Sequence, residues 1–202
     1  MTRIIEMRVT FILALALCIT TSLRAEEIIP SEAQTTLLRG TQEQAEGIRI
    51  VSGEPDSTGH GPITYYRVPF TEGTFSATWK VEVDQAVLFV FDGPTRGKAS
   101  HLLKVYVNGG PGGKNRNDVL TLITYDGSTT AKKNASVVRE EYHATPGDWH
   151  DISVSFSGNT ATITVDGKKF VATSSRFSEG IDKIGVGHLT GSLQTKEVKI
   201  TK

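Results

Sequence analysis

Hydrophobic and polar positions alternate most cleanly between His150 and Val165. Ile152, Val154 and Phe156 interleave with Asp151, Ser153 and Ser155. After Ser157-Gly158-Asn159, the residues Ala161, Ile163 and Val165 interleave with Thr160, Thr162 and Thr164. A period of two places successive side chains on opposite faces of a strand. The spacing predicts two antiparallel strands, each with an apolar and a hydroxyl face. Asp166-Gly167 then closes the second strand with a dipeptide that tolerates the positive φ of a tight turn. Such a sheet has one face on a core and one in water.

The same period recurs along the chain. Thr74 to Val83 sets Phe75, Ala77, Trp79, Val81 and Val83 against Thr74, Ser76, Thr78, Lys80 and Glu82. Ala86 to Phe91 is apolar on both faces, which predicts a strand covered on two sides and ended by Asp92-Gly93-Pro94. A loop is expected from Asp92 to Ser100. His101 then begins a strand through Val107, on which Tyr106 shares a face with Lys104 rather than with Leu103 and Val105. Further strands are predicted at 48–51, 63–68, 119–125, 135–142, 168–172, 184–188 and 198–200, separated by Gly, Pro and Asp clusters. A total of roughly ten to twelve short strands with no long helix indicates an all-β sandwich of two antiparallel sheets. Glu26 to Glu46 reads as a polar surface segment with a short helix near Ser31–Leu38, capped by Ser31.

The first residues change the picture of where such a domain works. Arg3 and Arg8 precede the apolar run Val9–Thr20, and Thr21 to Ala25 supplies a polar stretch ending in a small residue. This three-part pattern is expected to be a secretory signal peptide, residues 1–25, with secreted or periplasmic localisation. It leaves no membrane span after cleavage, since the run is short of the roughly 20 residues a spanning helix needs. The remaining organisation is a polar segment, 26–46, and one domain, 47–202. Cys18 is the sole cysteine and lies in the leader, so the mature domain is expected to have no disulfide, thiol chemistry or cysteine-based metal site. With 22 basic and 22 acidic residues and no dense basic patch, nothing favours nucleic acid as a partner.

Candidate chemistry is sparse. Gly109-Gly110-Pro111-Gly112-Gly113-Lys114 has the composition of a phosphate cradle. However, Lys114 is followed by Asn115 rather than Ser or Thr, and a strand pattern rather than a helix comes next. His60, His101, His143, His150 and His188 show no i, i+4 helical pair, and no acidic loop has the density of a calcium site, so no metal and no cofactor are expected. Glu82-Val83-Asp84 lacks the third acid of an E-x-D-x-x-E glucanase strand. The adjacent Glu140 and Glu141 would face opposite sides of theirs. No G-x-S-x-G turn is present. Asn134-Ala135-Ser136 fits an N-glycosylation acceptor. Aromatic rings can stack on the C–H face of a sugar. Tyr106 and Tyr125 are the better placed members of a pool that includes Tyr65, Tyr66, Tyr142, Trp79 and Trp149, and Trp79 falls on the core side of its strand.

Several segments together carry a resemblance: Phe75-Ser-Ala-Thr-Trp-Lys-Val81, Leu88-Phe-Val-Phe-Asp92, His101-Leu-Leu-Lys-Val105, Pro146-Gly-Asp-Trp-His-Asp151, Val165-Asp-Gly167 and Ile184-Gly-Val-Gly-His188 with Val198-Lys-Ile200. Over about residues 47–202 the chain resembles the concanavalin A-like lectin/glucanase superfamily. Within that superfamily it is similar to the secreted 3-keto-disaccharide hydrolase type of domain. The resemblance implies a jelly-roll β-sandwich and an exported carbohydrate-binding or carbohydrate-processing accessory domain whose partner is a glycan or oligosaccharide. Arg67, Lys104, Tyr106 and Tyr125 are the candidate ligand contacts. If the domain is an enzyme, the resemblance implies a hydrolase acting on 3-keto-disaccharides or glycosides, with Asp92 or His101 as acid/base. The N-S-G-x-x-x-R segment of the keto-sugar hydrolases is not in this sequence. A structural or adhesive cell-envelope protein is the third reading.

Overall fold

A computed structural model describes residues 25–96, 98–110, 118–125 and 135–202. The expected leader through residue 24, the glycine-rich loop beyond Gly110 and the Asn134 acceptor lie outside the described residues. The strands, in chain order, are β1 (Glu27–Ile28), β2 (Thr35–Leu38), β3 (Thr41–Ala45), β4 (Ile48–Ser52), β5 (Ile63–Tyr66), β6 (Gly73–Val81), β7 (Val87–Arg96) and β8 (Lys98–Val107). They continue with β9 (Val119–Tyr125), β10 (Ala135–Glu141), β11 (His150–Ser157), β12 (Thr160–Val165), β13 (Lys168–Thr173), β14 (Lys183–His188) and β15 (Ser192–Thr201). One sheet runs β13-β12-β11-β6-β15-β4-β3 with β1 also on β15, and the other runs β10-β9-β8-β7-β14-β5-β2. Every pairing is antiparallel. The described chain is therefore the all-β sandwich of two antiparallel sheets that the periodicity predicts, and it has the jelly-roll form that the resemblance implies.

The core lies where the two central strands face each other. Phe75 and Trp79 of β6 point inward against Phe89 and Phe91 of β7, and all four are fully buried. Ring centroids are 5.8 Å apart for Phe75–Phe91 and 6.2 Å for Trp79–Phe89. Phe156 extends this aromatic core, 5.2 Å from Phe91 and 5.3 Å from Phe177 of the 3-10 turn Ser175–Glu179. The hairpin β11–β12 pairs Ile152 with Val165 and Phe156 with Ala161, so the two predicted apolar faces coincide. Asp166 (φ 47°) and Gly167 (φ 79°) are both left-handed, as the two central residues of a hairpin turn matching the strand twist require.

The Asp166 side chain also fastens this hairpin. Its Oδ2 accepts from Tyr142 Oη and from His150 Nδ1, each at 2.6 Å, and its Oδ1 accepts from the Asp151 amide at 2.8 Å. Burial pushes this carboxyl up, but the bonds from Tyr142, His150 and Asp151 together hold it below the usual carboxylate range.

Two sequence expectations change. Residues 26–46 contribute three strands, β1 and β3 on one sheet and β2 on the other, and the expected helix shrinks to a single 3-10 turn, Glu32–Gln34. The alternating exposure of Thr35–Leu38, which follows the strand period, accounts for the change. The expected loop from Asp92 to Ser100 is instead the paired end of β7 and β8, with Asp92 opposite His101 and Gly93 opposite Ser100. Pro94 does not end the strand. It falls between Gly93 and Arg96, where the register slips, and there a residue without an amide proton can be accommodated.

At the ends of the described chain, Glu27 pairs with Thr201. The Glu26 amide donates to the Lys202 carbonyl at 3.0 Å, and the Lys202 amide donates back at 2.8 Å.

Candidate ligand-binding face

The outward side of the seven-stranded sheet gathers most of the polar residues singled out from the sequence. Along β8, Lys104 and Tyr106 face outward while Leu103, Val105 and Val107 are buried. Strict alternation would turn His101 inward with Leu103. Instead Phe91 pairs with Leu103 and Asp92 with His101, leaving Leu102 as an extra residue in β8. This β-bulge inverts the alternation and brings His101 onto the outward face beside Asp92. Leu102 is wholly buried, and its space is left by Gly93, where a Cβ would sit 3.0 Å from Leu102 Cδ1.

Asp92 lies beneath this face, only 1% exposed. Its Oδ1 is 2.5 Å from His101 Nδ1, and its Oδ2 makes no hydrogen bond and stands 3.6 Å from Lys183 Nζ. An ionised carboxylate can only accept, so His101 donates from Nδ1. The His101 side chain is 31% exposed and its ring centroid is 5.7 Å from that of Tyr125.

The two lysines lean away from each other. Lys183 Nζ lies over the Tyr65 ring, 4.4 Å from its centroid, and Lys104 Nζ lies over the Tyr125 ring at 5.7 Å. Burial lowers the Lys104 pKa, partly opposed by the Asp92 charge. Burial, and then the Asp92 charge, push Tyr65 up to about 12. Burial, then Tyr106 and Asp92, push Tyr125 up to about 12, and burial alone raises Tyr106. The phenols are therefore neutral hydrogen-bonding groups at any physiological pH.

A row thus crosses five adjacent strands: Tyr65 on β5, Lys183 on β14, Asp92 on β7, His101 and Lys104 on β8, and Tyr125 on β9. Four strand spacings make it about 19 Å long. It is a face rather than a cavity, half-buried and amphipathic. Gly185 keeps it low. A Cβ there would come within 2.6 Å of Val90 Cγ1 and 2.8 Å of Tyr65 Cε1, so the neighbouring side chains fold over the glycine. Arg176 ties β8 at His101 to the end of β9 at Tyr125: its Nη1 donates to the carbonyls of His101 (3.5 Å) and Tyr125 (3.3 Å) while its guanidinium also pairs with Glu179.

Five of the six residues named from the sequence share this face: Asp92, His101, Lys104, Tyr106 and Tyr125. Arg67 stands at its edge, exposed, with Asp182 at 3.8 Å as its ion-pair partner. Lys183 and Arg176 were missed. Lys183 immediately precedes the Ile184-Gly-Val-Gly run, and its strand register gives its side chain the Asp92 side of the sheet; only the pairing of β14 with β7 shows this. Among the described residues no group of three or more His, Cys, Asp or Glu side chains could hold a metal ion. No described helix is long and apolar enough to cross a membrane. Two shallow grooves, of about 380 and about 300 Å³, lie on the other sheet and flank the β15 bulge at Lys196–Lys199.

No protein-family model matches the chain, and no curated protein matches it in sequence. Solved structures do match in fold. The carbohydrate binding module CBM66 from Bacillus subtilis superposes with a TM-score of 0.59 at 14% identity, covering 82% of this chain and 93% of that one. Porphyranase B from Zobellia galactanivorans gives 0.62 at 11% identity, covering 88% of each chain. CG-16, a homodimeric agglutinin from chicken liver, gives 0.51 at 14% identity, covering 66% of this chain and 95% of that one. The chain has a jelly-roll fold, two antiparallel sheets packed as a sandwich.

Proposed function

We propose that this is an exported carbohydrate-binding domain that takes a glycan across the outward face of its seven-stranded sheet. The observation that carries the reading is the row from Tyr65 to Tyr125, in which neutral phenols, ammonium groups and an imidazole alternate over about 19 Å, the reach of a short oligosaccharide. Apolar ring surface and converging hydrogen-bond donors are what a polyhydroxylated ring needs for stacking and orientation. The fold neighbours support the reading by analogy of fold alone. A glycan array followed by calorimetry tests it. We expect saturable binding to a polysaccharide and its loss in a Tyr65→Ala/Tyr125→Ala double variant. Absence of binding to every glycan would overturn the proposal. Export is tested separately, by N-terminal sequencing of the protein recovered outside the cytoplasm, which should begin after Ala25.

A second reading, hydrolysis of a 3-keto-disaccharide or glycoside, is favoured by the 2.5 Å contact of His101 with the buried Asp92, an arrangement that orients an imidazole for proton transfer. Turnover of 3-keto-disaccharides that falls by about 100-fold or more in His101→Ala supports it. Turnover unchanged in His101→Ala and Asp92→Asn removes these residues from the chemistry.

A further inference from the structure

Among the described residues, the charges along this row are unbalanced. Asp92 is the buried anion of the row, and it has drawn His101 and Lys183 toward itself. Lys183 is held only loosely, 3.6 Å from a carboxylate oxygen that makes no hydrogen bond, while Lys104 has no carboxylate within 4.0 Å among the described residues. The ion pair of Arg67 with Asp182 at the edge of the face is self-contained. Among the described side chains of the row, two ammonium groups and an imidazole therefore surround one carboxylate, which is 1% exposed while the Lys183 and His101 side chains are 24% and 31% exposed. Each lysine is also poised over a tyrosine ring at one end of the row.

Resting on the glycan-binding reading above, we infer that the ligand is an acidic polysaccharide, with one anionic group taken by Lys183 beside Tyr65 and another by Lys104 beside Tyr125. A carboxylate or a sulfate supplies the same chemistry, acceptor oxygens for a charge-assisted hydrogen bond. Bulk attraction does not account for such a preference, since the whole chain is formally neutral. The ligand's charge must repeat along its length, so a short charged oligomer binds and its monosaccharide does not.

The test is calorimetry of the full mature chain with polygalacturonate, dextran sulfate and neutral dextran, at about 0.05 and about 0.5 M salt. The expected result is binding to a polyanion, weakened by salt, with little binding to dextran. Whether polygalacturonate or dextran sulfate binds identifies the anion as carboxylate or sulfate. Lys104→Gln and Lys183→Gln should each weaken that binding about tenfold, the size of one lost charge-assisted bond, and Lys→Arg should restore most of it. Trp149, exposed on the opposite sheet with Lys80 and Lys196 over its ring, provides the control, and Trp149→Ala should change nothing. Binding of neutral dextran but neither polyanion overturns the acidic ligand while leaving glycan binding intact. Binding of none of the three, with a glycan array also blank, removes both. Polyanion binding that survives both lysine variants, or that is lost in Trp149→Ala, overturns the assignment to this face.

Discussion

Single residues in this protein often stand in for backbone. Asn108, at φ 54° and 1% exposed, donates from Nδ2 to the Ala144 carbonyl at 2.6 Å and accepts from the Ala144 amide at 2.9 Å, as a neighbouring strand residue would. Asn tolerates the left-handed backbone better than most residues. Asn108→Ala removes both bonds, leaves a buried amide and carbonyl unpaired and adds conformational strain. The expected loss is about 2–4 kcal/mol, read by urea denaturation. His188 gives the matching pH prediction. Burial holds its pKa below the usual histidine value, partly opposed by the Gly191 carbonyl and the Glu54 charge. The unfolded chain then binds the extra proton, so this contribution to stability is complete above about pH 6.5 and falls as pH drops below that value. The melting temperature should decline between about pH 7 and about pH 5, and His188→Gln should flatten that decline.

At the scale of elements, the sheet that carries the candidate site owes its shape to glycine and to one inserted residue. Gly185→Ala should push Val90, Ile63 or Tyr65 aside, since the added carbon would meet all three within 2.8 Å. A cost of about 1–3 kcal/mol in denaturant midpoint checks this. The elements themselves were largely legible. The alternations at Thr74–Val83 and Ile152–Val165 mark strands whose inward sets are the buried ones, except at Val83: expected on the inward face, it lies beyond the end of β6 at Val81 and is 51% exposed. The Asp166-Gly167 turn lies where its φ angles require it. Lys104 and Tyr106 could be nominated because parity is visible within one strand, and Tyr125 because it stands at a strand end beside Asp126-Gly127. What could not be read was anything that depends on which strands adjoin. The partnership of Asp92 with Lys183 needs the β7–β14 register, 91 residues apart in sequence, and that of Asp92 with His101 needs a bulge that breaks the very period used to read the strand. Composition rules also failed where pairing overrode them. Gly93-Pro94 looked like an end and sits inside a paired region, and the polar stretch 26–46 looked like a tail and supplies edge strands.

At the scale of the whole molecule, two sheets are packed face to face. The aromatic core between β6 and β7 joins them, and truncating its centre is expected to be felt by both sheets. Phe156→Ala, which removes the ring that contacts Phe70, Phe91 and Phe177, should cost about 3–5 kcal/mol in a single cooperative transition. Two of the bordering strands carry polar protection: β3 is exposed throughout and holds Thr, Gln and Glu, and β10 ends in Arg139-Glu140-Glu141, composition that discourages edge-to-edge growth. The seam between Glu26 and Lys202 has a further consequence. Because β1 and β15 are zipped together, whatever is joined at either side of the seam departs from the same place, and that place belongs to the eight-stranded sheet. The chain can be circularly permuted there: a short linker from Lys202 back to Glu26, with new ends opened at Gly158-Asn159, should give a protein that still folds. For the same reason a tether on this seam would hold the domain by one side and leave the tyrosine–lysine row of the other side turned outward, free to meet a polymer larger than the domain itself.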